Sequence, residues 1–167
     1  EQMLQDVRGE LRSFLTPSSH QAEMDRLKIA PGAKEAPEVR FAPFPSQAKF
    51  RGWKLGSKET IASCSVDPQE AFAWVNEIDG MTWEQLCEAE AISTKFHTLN
   101  VKICAGLNHI LHGEFERAIR NLKEQAAQQD PPQMLTGRQI LWQINERFRL
   151  TQVEGELLEF EDLLAIS

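Results

Sequence analysis

The sequence predicts an all-α fold, and three observations support that prediction. Three segments begin with a small polar or acidic residue that is followed three positions later by Glu or Gln, which is the pattern of a capped helix start. Apolar side chains recur at steps of three and four residues along most of the chain. No stretch shows the alternation of apolar and polar residues that a half-buried strand requires. Six or seven helices in a bundle-like domain are therefore expected.

The first 49 residues differ in pattern from the rest of the chain. Residues 1–29 are predicted to form a helical arm, because apolar side chains recur there at helical spacing: Leu4, Val7, Leu11, Phe14 and Leu15. Prolines are frequent and periodicity is missing over residues 30–49, which predicts an extended Pro-rich linker whose Phe41 and Phe44 can dock on a surface. The sequence thus places the boundary of the helical domain, residues 50–167, near Lys49.

Within residues 50–167, three capping boxes mark helix starts. Each box pairs an N-cap residue with a residue three positions further on: Asp67 with Glu70, Thr82 with Gln85, and Thr136 with Gln139. A central helix is expected to end before Gly113, and the next helix to run from about Glu114 to Asp130. Gly155 is expected to separate a further helix from a last one, "ELLEFEDLLAI". Four aromatic residues are predicted to anchor the core: Trp53, Trp74, Trp83 and Trp142.

Composition narrows the class of protein. Apolar residues make up 41% and charged residues 26%, which is ordinary for a globular domain. Residues 1–49 carry seven acidic and seven basic side chains, so the whole net charge of −7 falls on residues 50–167. A surface of this sign disfavours nonspecific nucleic-acid binding. Three widely spaced cysteines indicate reduced thiols in an intracellular, cytoplasmic protein, and no segment has the composition of a membrane span or a signal peptide.

Few residues of the chain could carry chemistry. His109 and His112 with Glu116 have i, i+3, i+7 spacing, but the His-Glu-x-x-His pattern of zincins is absent, so surface or cap histidines are favoured over a metal site. Cys104 with His97 lacks any local signature of a nucleophile and its base, and "TGRQIL" lacks the second glycine, the lysine and the hydroxyl of a phosphate loop. The sequence therefore predicts no catalytic, cofactor-binding or metal-ligating residue, and no cofactor.

The last segment offers a surface instead of a reaction site. Acidic and apolar residues interleave from Glu154 to Asp162, which is typical of the solvated face of an amphipathic helix. Its large apolar side chains form the candidate self-association face: Leu157, Leu158, Phe160, Leu163 and Leu164. Arg117, Arg120 and Lys123 form a small basic stripe that could pair with acidic helices in the same chain or in another.

Taken in series, residues 50–167 resemble the Gag region of copia-type LTR retrotransposons. The family's aromatic "F-x-x-W-K" start is matched by "FRGWKLGSKETIAS", with Phe50, Trp53 and Lys54. Its following helix is matched by "TKFHTLNVKICAGLNHILHGE", its "A-x-E-x-W-x-x-L-x-x-x-F" helix by "TGRQILWQINERFRL", and its last helix by "ELLEFEDLLAI". The chain departs from the pattern in the insertion "DPQEAFAWVNEIDGMTWEQLCEAE", and it lacks the zinc knuckle expected downstream in such proteins.

The resemblance implies a capsid-like piece of a longer polyprotein that self-assembles into particles around the RNA of its own element. The chain's partner would then be a second copy of itself, with RNA bound through the downstream zinc knuckle and with no membrane involved. Any protease, integrase or reverse transcriptase would lie downstream, so the fragment itself is expected not to be an enzyme. The alternative is a non-catalytic helical module that binds another protein. A third class, a small helical enzyme, would need a polar constellation that the sequence does not show.

Overall fold

The fold is all-α in the computed structural model, which describes residues 34–166. Six α-helices and no strand occur within these residues. They are α1 (Phe50–Ser63), α2 (Pro68–Asn76), α3 (Trp83–Ile92), α4 (His97–Asn108), α5 (Gly113–Ala127) and α6 (Gly137–Ile166). Short 3-10 helices precede α1 at Gln47–Lys49 and follow α2 at Glu77–Gly80. The expected helical arm, residues 1–29, lies outside the described residues.

The capping boxes form as the sequence predicts, two of them completely. At Thr82 and at Thr136, the side chain accepts a hydrogen bond from the backbone N–H three residues on, and the Gln there accepts one from the N-cap backbone. Asp67 accepts only the first of these bonds, from the backbone N–H of Glu70 at 3.3 Å. Its own backbone N–H donates to Ser65 Oγ instead. Local hydrogen bonding therefore sets where α2, α3 and α6 begin.

Helices α4 and α6 meet at the centre of the core. The contact is close because α6 begins with a glycine: a Cβ at Gly137 would lie 2.4 Å from the Cβ of Ile103. Leu99 and Leu107 of α4 and Ile144 of α6 are completely buried. The predicted tryptophans take part as well, since Trp53 and Trp74 are buried, whereas Trp83 and Trp142 are half-buried and lie 5.4 Å apart.

Residues 34–46 form no helix or strand, and together with the short 3-10 helix Gln47–Lys49 they pack against the helices and are not a separate linker. Val39 is only 2% exposed, and a Cβ added to Gly106 of α4 would come within 2.1 Å of the Val39 carbonyl oxygen. The indole N–H of Trp53 donates to the carbonyl of Ala42 at 3.2 Å. The ring of Phe44 lies 5.6 Å from that of Phe148 in α6. The boundary expected near Lys49 is therefore corrected: the packed unit includes residues 34–49.

Helix α6 is continuous over 30 residues, so the expected break at Gly155 does not occur. A single glycine costs a helix interior about 1 kcal/mol relative to alanine, which weakens the helix without ending it. All side chains of residues 150–165 are exposed, and we call this stretch the projecting tail. At a rise of about 1.5 Å per residue the tail is roughly 24 Å long. The core contacts of α6 thus end near Phe148.

Candidate functional site

The projecting tail presents a regular row of apolar side chains. The row is spaced at steps of three and four residues, and we call it the tail seam: Leu150, Val153, Leu157, Phe160 and Leu164. At 3.6 residues per turn these five positions fall within an arc of roughly 80°. Each of the five side chains is 47–58% exposed. Apolar residues that alternate at three and four are the pattern by which two helices pair along their length.

The candidate self-association face predicted from the sequence lies entirely on this tail. Leu157, Phe160 and Leu164 belong to the tail seam, and Leu163 borders it. Leu158 lies about 100° around the helix from Leu157, away from the seam. Leu158 and Leu163 are 61% and 66% exposed. The structure therefore places all five residues on the helix surface, with four of them on one side, while their role in association stays a prediction.

Charge on the projecting tail is of one sign. Residues 150–165 contain five acidic side chains and no basic one: Glu154, Glu156, Glu159, Glu161 and Asp162. Just before the tail, Glu146 is paired with Arg149 one turn away. This hydrogen bond and the charge of Arg149 hold the pKa of Glu146 below its usual range. The tail beyond Arg149 therefore combines an apolar row with an acidic surround.

The polar residues that are buried sit elsewhere, around Arg138 near the start of α6. The Arg138 side chain is 2% exposed, and its guanidinium donates to Glu77 Oε1 at 2.9 Å and to Glu90 Oε2 at 3.2 Å. It also donates to the Trp74 carbonyl oxygen at 2.8 Å and lies 4.7 Å from the centre of that indole ring. Because Glu90 is 7% exposed, this is a buried ion pair with hydrogen bonds on both partners.

Glu90 also accepts hydrogen bonds from two further residues at the same point. Its Oε1 accepts a hydrogen bond from Thr136 Oγ1 at 2.6 Å and one from Asn100 Nδ2 at 2.8 Å. The side-chain oxygen of Asn100 accepts in turn from the backbone N–H of Arg138 at 2.9 Å. The cluster therefore ties α2, α3, α4 and the start of α6 together. Sequence reasoning missed it, although an Arg inside a capping box that leads into the apolar run "ILWQI" was a usable signal.

A second buried cation is held at the junction of α1 and α2. Lys58 is 7% exposed, and its Nζ donates to Asn76 Oδ1 at 2.8 Å and to Asp79 Oδ2 at 2.5 Å. Asp79 also pairs with Lys54 at 3.5 Å and accepts from Asn145 of α6 at 3.4 Å. Both clusters bring oppositely charged groups from different helices together, which is an arrangement that fixes helix positions.

The residues weighed for chemistry do not form one site. His109 is exposed at the end of α4, whereas the His112 ring lies 5.8 Å from that of Phe44. Cys104 is 9% exposed and His97 is exposed at the first turn of α4. Burial raises the pKa of the Cys104 thiol, against smaller lowering effects of Lys123 and Asn108. Over residues 34–166, no three His, Cys, Asp or Glu side chains are grouped closely enough to hold a metal ion.

Two of the three residues of the predicted basic stripe on α5 have partners within the chain. Arg120 pairs with Glu116 one turn before it, and Lys123 Nζ donates to Asn108 Oδ1 of α4 at 2.5 Å. Arg117 is exposed. The stripe therefore contributes to the surface of α5 and to its contact with α4.

Within residues 34–166, every helix, α6 included, is too short or too polar to cross a bilayer.

Comparisons of this chain with protein-family models, with curated proteins and with solved structures found no match. The resemblance to copia-type Gag therefore depends on the residues quoted for it and stays a prediction.

Proposed function

We propose that this chain is a structural, non-catalytic protein whose copies associate through the projecting tail of α6, as the capsid-like domain of a Gag protein would. One observation carries the proposal. From residue 150 to 165 every side chain of α6 is exposed, and that stretch includes the five apolar residues of the tail seam. Exposed apolar rows of this size on a folded chain mark interaction surfaces.

The exposed apolar side chains of the helix end favour a partner. Most of the stability of a helix in a folded protein comes from the packing of its apolar face, and its backbone hydrogen bonds alone contribute little. The tail continues α6 for 16 residues whose side chains are exposed, and it contains a glycine. Complete burial of a Leu or Phe side chain contributes about 1.5–3 kcal/mol. A partner helix that covers the seam would therefore gain binding energy and would stabilise the tail through the same contacts. Association is the simplest use of such a surface.

The finer part of the proposal comes from the resemblance to Gag. Copies would assemble into particles, and the RNA of the element would be packaged inside them. The acidic balance of residues 50–167 indicates that RNA would be bound by another segment, such as the zinc knuckle expected downstream. The capsid-like part would then supply the packing surfaces alone.

Sedimentation velocity of the full 167-residue chain over a range of concentrations tests the proposal. We expect monomer when dilute and larger species when concentrated. The double variant Leu157→Asp with Phe160→Asp places two charges in the seam, which should abolish the larger species and leave the melting temperature at that of the dilute wild type. Leu158→Asp is the control for each single charge, since it adds one Asp to a similarly exposed leucine that lies off the seam, and we expect it to associate as the wild type does.

Two outcomes would contradict the proposal. A wild type that stays monomeric at every concentration would favour the alternative, a module that binds a different protein. Equal loss of association in the Leu158→Asp control would show that added negative charge, and not the seam, governs the result.

A further inference from the structure

The chain contains a second apolar row with the spacing of the tail seam. Residues 4–14, "LQDVRGELRSF", and residues 150–160, "LTQVEGELLEF", share the pattern L-x-x-V-x-G-E-L-x-x-F. Six of these eleven positions are identical, including all four apolar ones: Leu4 with Leu150, Val7 with Val153, Leu11 with Leu157, and Phe14 with Phe160. We call Leu4, Val7, Leu11 and Phe14 the N-terminal seam.

The shared glycine is compatible with a pairing surface. When the apolar residues occupy the a and d positions of a heptad, Gly155 falls at f, the position furthest from a partner helix. The structure shows Gly155 inside a continuous helix with open space around it. A glycine at f leaves the a and d side chains free to interlock with those of a second helix.

Charge decides which partner suits the tail seam. Two tails paired with each other would bring the carboxylates at e and g of one copy, those of Glu154, Glu156 and Glu161, against the same three of the other, with no basic side chain in residues 150–165 of either. Like charges flanking a helix pair are destabilising. Residues 1–16 carry three acidic side chains and also Arg8 and Arg12. In the same register Arg8 falls at e, where the tail has Glu154, whereas Arg12 falls at b. The N-terminal seam therefore offers the same apolar row with less repulsion and with one flanking cation, Arg8, for the tail's carboxylates.

We infer that the tail seam of one copy receives residues 4–14 of a second copy. This inference rests on the proposed self-association and names the surface that completes it. Residues 15–33, which connect the segment to the packed unit, can span up to about 60 Å when extended, so the segment can reach a neighbouring molecule. Because each copy then has one donor segment and one acceptor surface, the contact is heterologous and generates open chains or closed rings.

Complementation between two full-length variants tests the inference. The double variant Val7→Asp with Leu11→Asp disables the N-terminal seam, and Leu157→Asp with Phe160→Asp disables the tail seam. We expect each variant alone to be monomeric, with association weakened about a hundredfold or more. An equimolar mixture retains one intact donor and one intact acceptor, so it should give a 1:1 dimer and nothing larger in sedimentation velocity.

A binding measurement checks the same contact without assembly. A fluorescent peptide of residues 1–16 should bind the Val7→Asp, Leu11→Asp chain, whose tail seam is intact and whose own N-terminal seam is disabled. It should not bind the Leu157→Asp, Phe160→Asp chain. Melting temperatures equal to that of the dilute wild type would show that both variants keep the fold.

The outcomes separate this inference from the proposed function. If the Val7→Asp, Leu11→Asp variant associates as strongly as wild type, the tail pairs with another surface and this inference is wrong, while self-association through the tail stands. If both variants are monomeric and their mixture forms no dimer, the pairing of these two seams is overturned. If the wild type never associates, the proposed function fails first.

Discussion

Arg138 is the residue on which most of the described helices depend. Its guanidinium is buried with Glu90 and stacks on Trp74. Once the cation is removed, Glu90 is left buried and retains only the hydrogen bonds from Thr136 and Asn100. Breaking one partner of a buried ion pair costs far more than the pair contributes as a whole, because the remaining charge is poorly solvated.

We expect Arg138→Met to lower the free energy of unfolding by about 3–5 kcal/mol, measured by urea denaturation. Adding Glu90→Gln should recover part of the loss, so that the double variant is more stable than the sum of the two single changes indicates. Arg117→Met is the control, because Arg117 is exposed on α5, and it should change stability by less than about 0.5 kcal/mol. Equal effects of the two arginine changes would contradict the role given to the buried cluster.

The thiol of Cys104 makes the stability of the folded chain depend on pH. Burial raises the pKa of this thiol in the folded chain above its value in the unfolded chain. As the pH rises, the folded chain therefore releases the Cys104 thiol proton at a higher pH than the unfolded chain does. The contribution of this proton to the free energy of unfolding is complete below the ordinary thiol pKa and is lost as the pH rises through the raised pKa of the folded state.

We expect Cys104 to be alkylated by iodoacetamide more slowly than Cys64, which is only partly buried, as followed by mass spectrometry of the digested protein. The folded chain should also lose stability at alkaline pH, and Cys104→Ala should reduce that loss. Alkylation of Cys104 at the rate of Cys64 would show that its burial is not maintained in solution.

Among the elements, the two complete capping boxes provide an internal comparison. Loss of an N-cap side chain costs about 0.5–2 kcal/mol. Thr82 caps α3 only, whereas Thr136 caps α6 and also donates to the buried Glu90 at 2.6 Å. We expect Thr136→Ala to destabilise the chain more than Thr82→Ala in thermal unfolding. Serine at either position should restore most of the stability, since it keeps the hydroxyl group.

The packing of residues 34–49 is tested at Gly106 of α4. Gly106→Ala would push a methyl group into the Val39 carbonyl and the Phe41 ring, and overpacking of this kind costs about 1–3 kcal/mol. We expect trypsin to cut after Arg40 slowly in the wild type and rapidly in this variant. Gly52→Ala is the matched control, because nothing lies within 4 Å of its added Cβ in α1, and it should stabilise the helix slightly. Rapid cleavage in wild type would show that the segment is not held.

For the whole molecule, we expect the packed core to determine the thermal stability and the exposed tail to determine association. A chain that ends at Arg149 loses residues 150–167. The side chains of residues 150–165 are all exposed, so the core of the shortened chain should melt at the temperature of the dilute wild type. The wild type should melt at higher temperature as its concentration rises, because association stabilises the folded state by mass action. The shortened chain should show no such dependence in differential scanning calorimetry. A large drop in its melting temperature would place the tail within the fold itself.

Sequence reasoning identified those features that depend on near neighbours. The all-α class, the box at Thr82 and the box at Thr136 follow from groups three or four residues apart, whose geometry any helix start shares. The apolar character of the tail is visible for the same reason. The expected break at Gly155 was wrong because a glycine only weakens a helix, and the energy of the flanking turns decides whether the helix continues.

What only the tertiary structure decided involves residues far apart in the chain. The sequence of residues 34–49 indicated a linker because the residues that they contact are far away in the chain. The carbonyl oxygen of Ala36 accepts a hydrogen bond from Lys102, and Phe44 packs against Phe148. Arg138 and Glu90 are 48 positions apart, so no local pattern reveals that they share one buried site. The amino-acid sequence by itself determined the helices and an amphipathic last segment. The packing of the other helices decided that the core contacts of α6 end near Phe148, and hence that the apolar row beyond it remains on the surface.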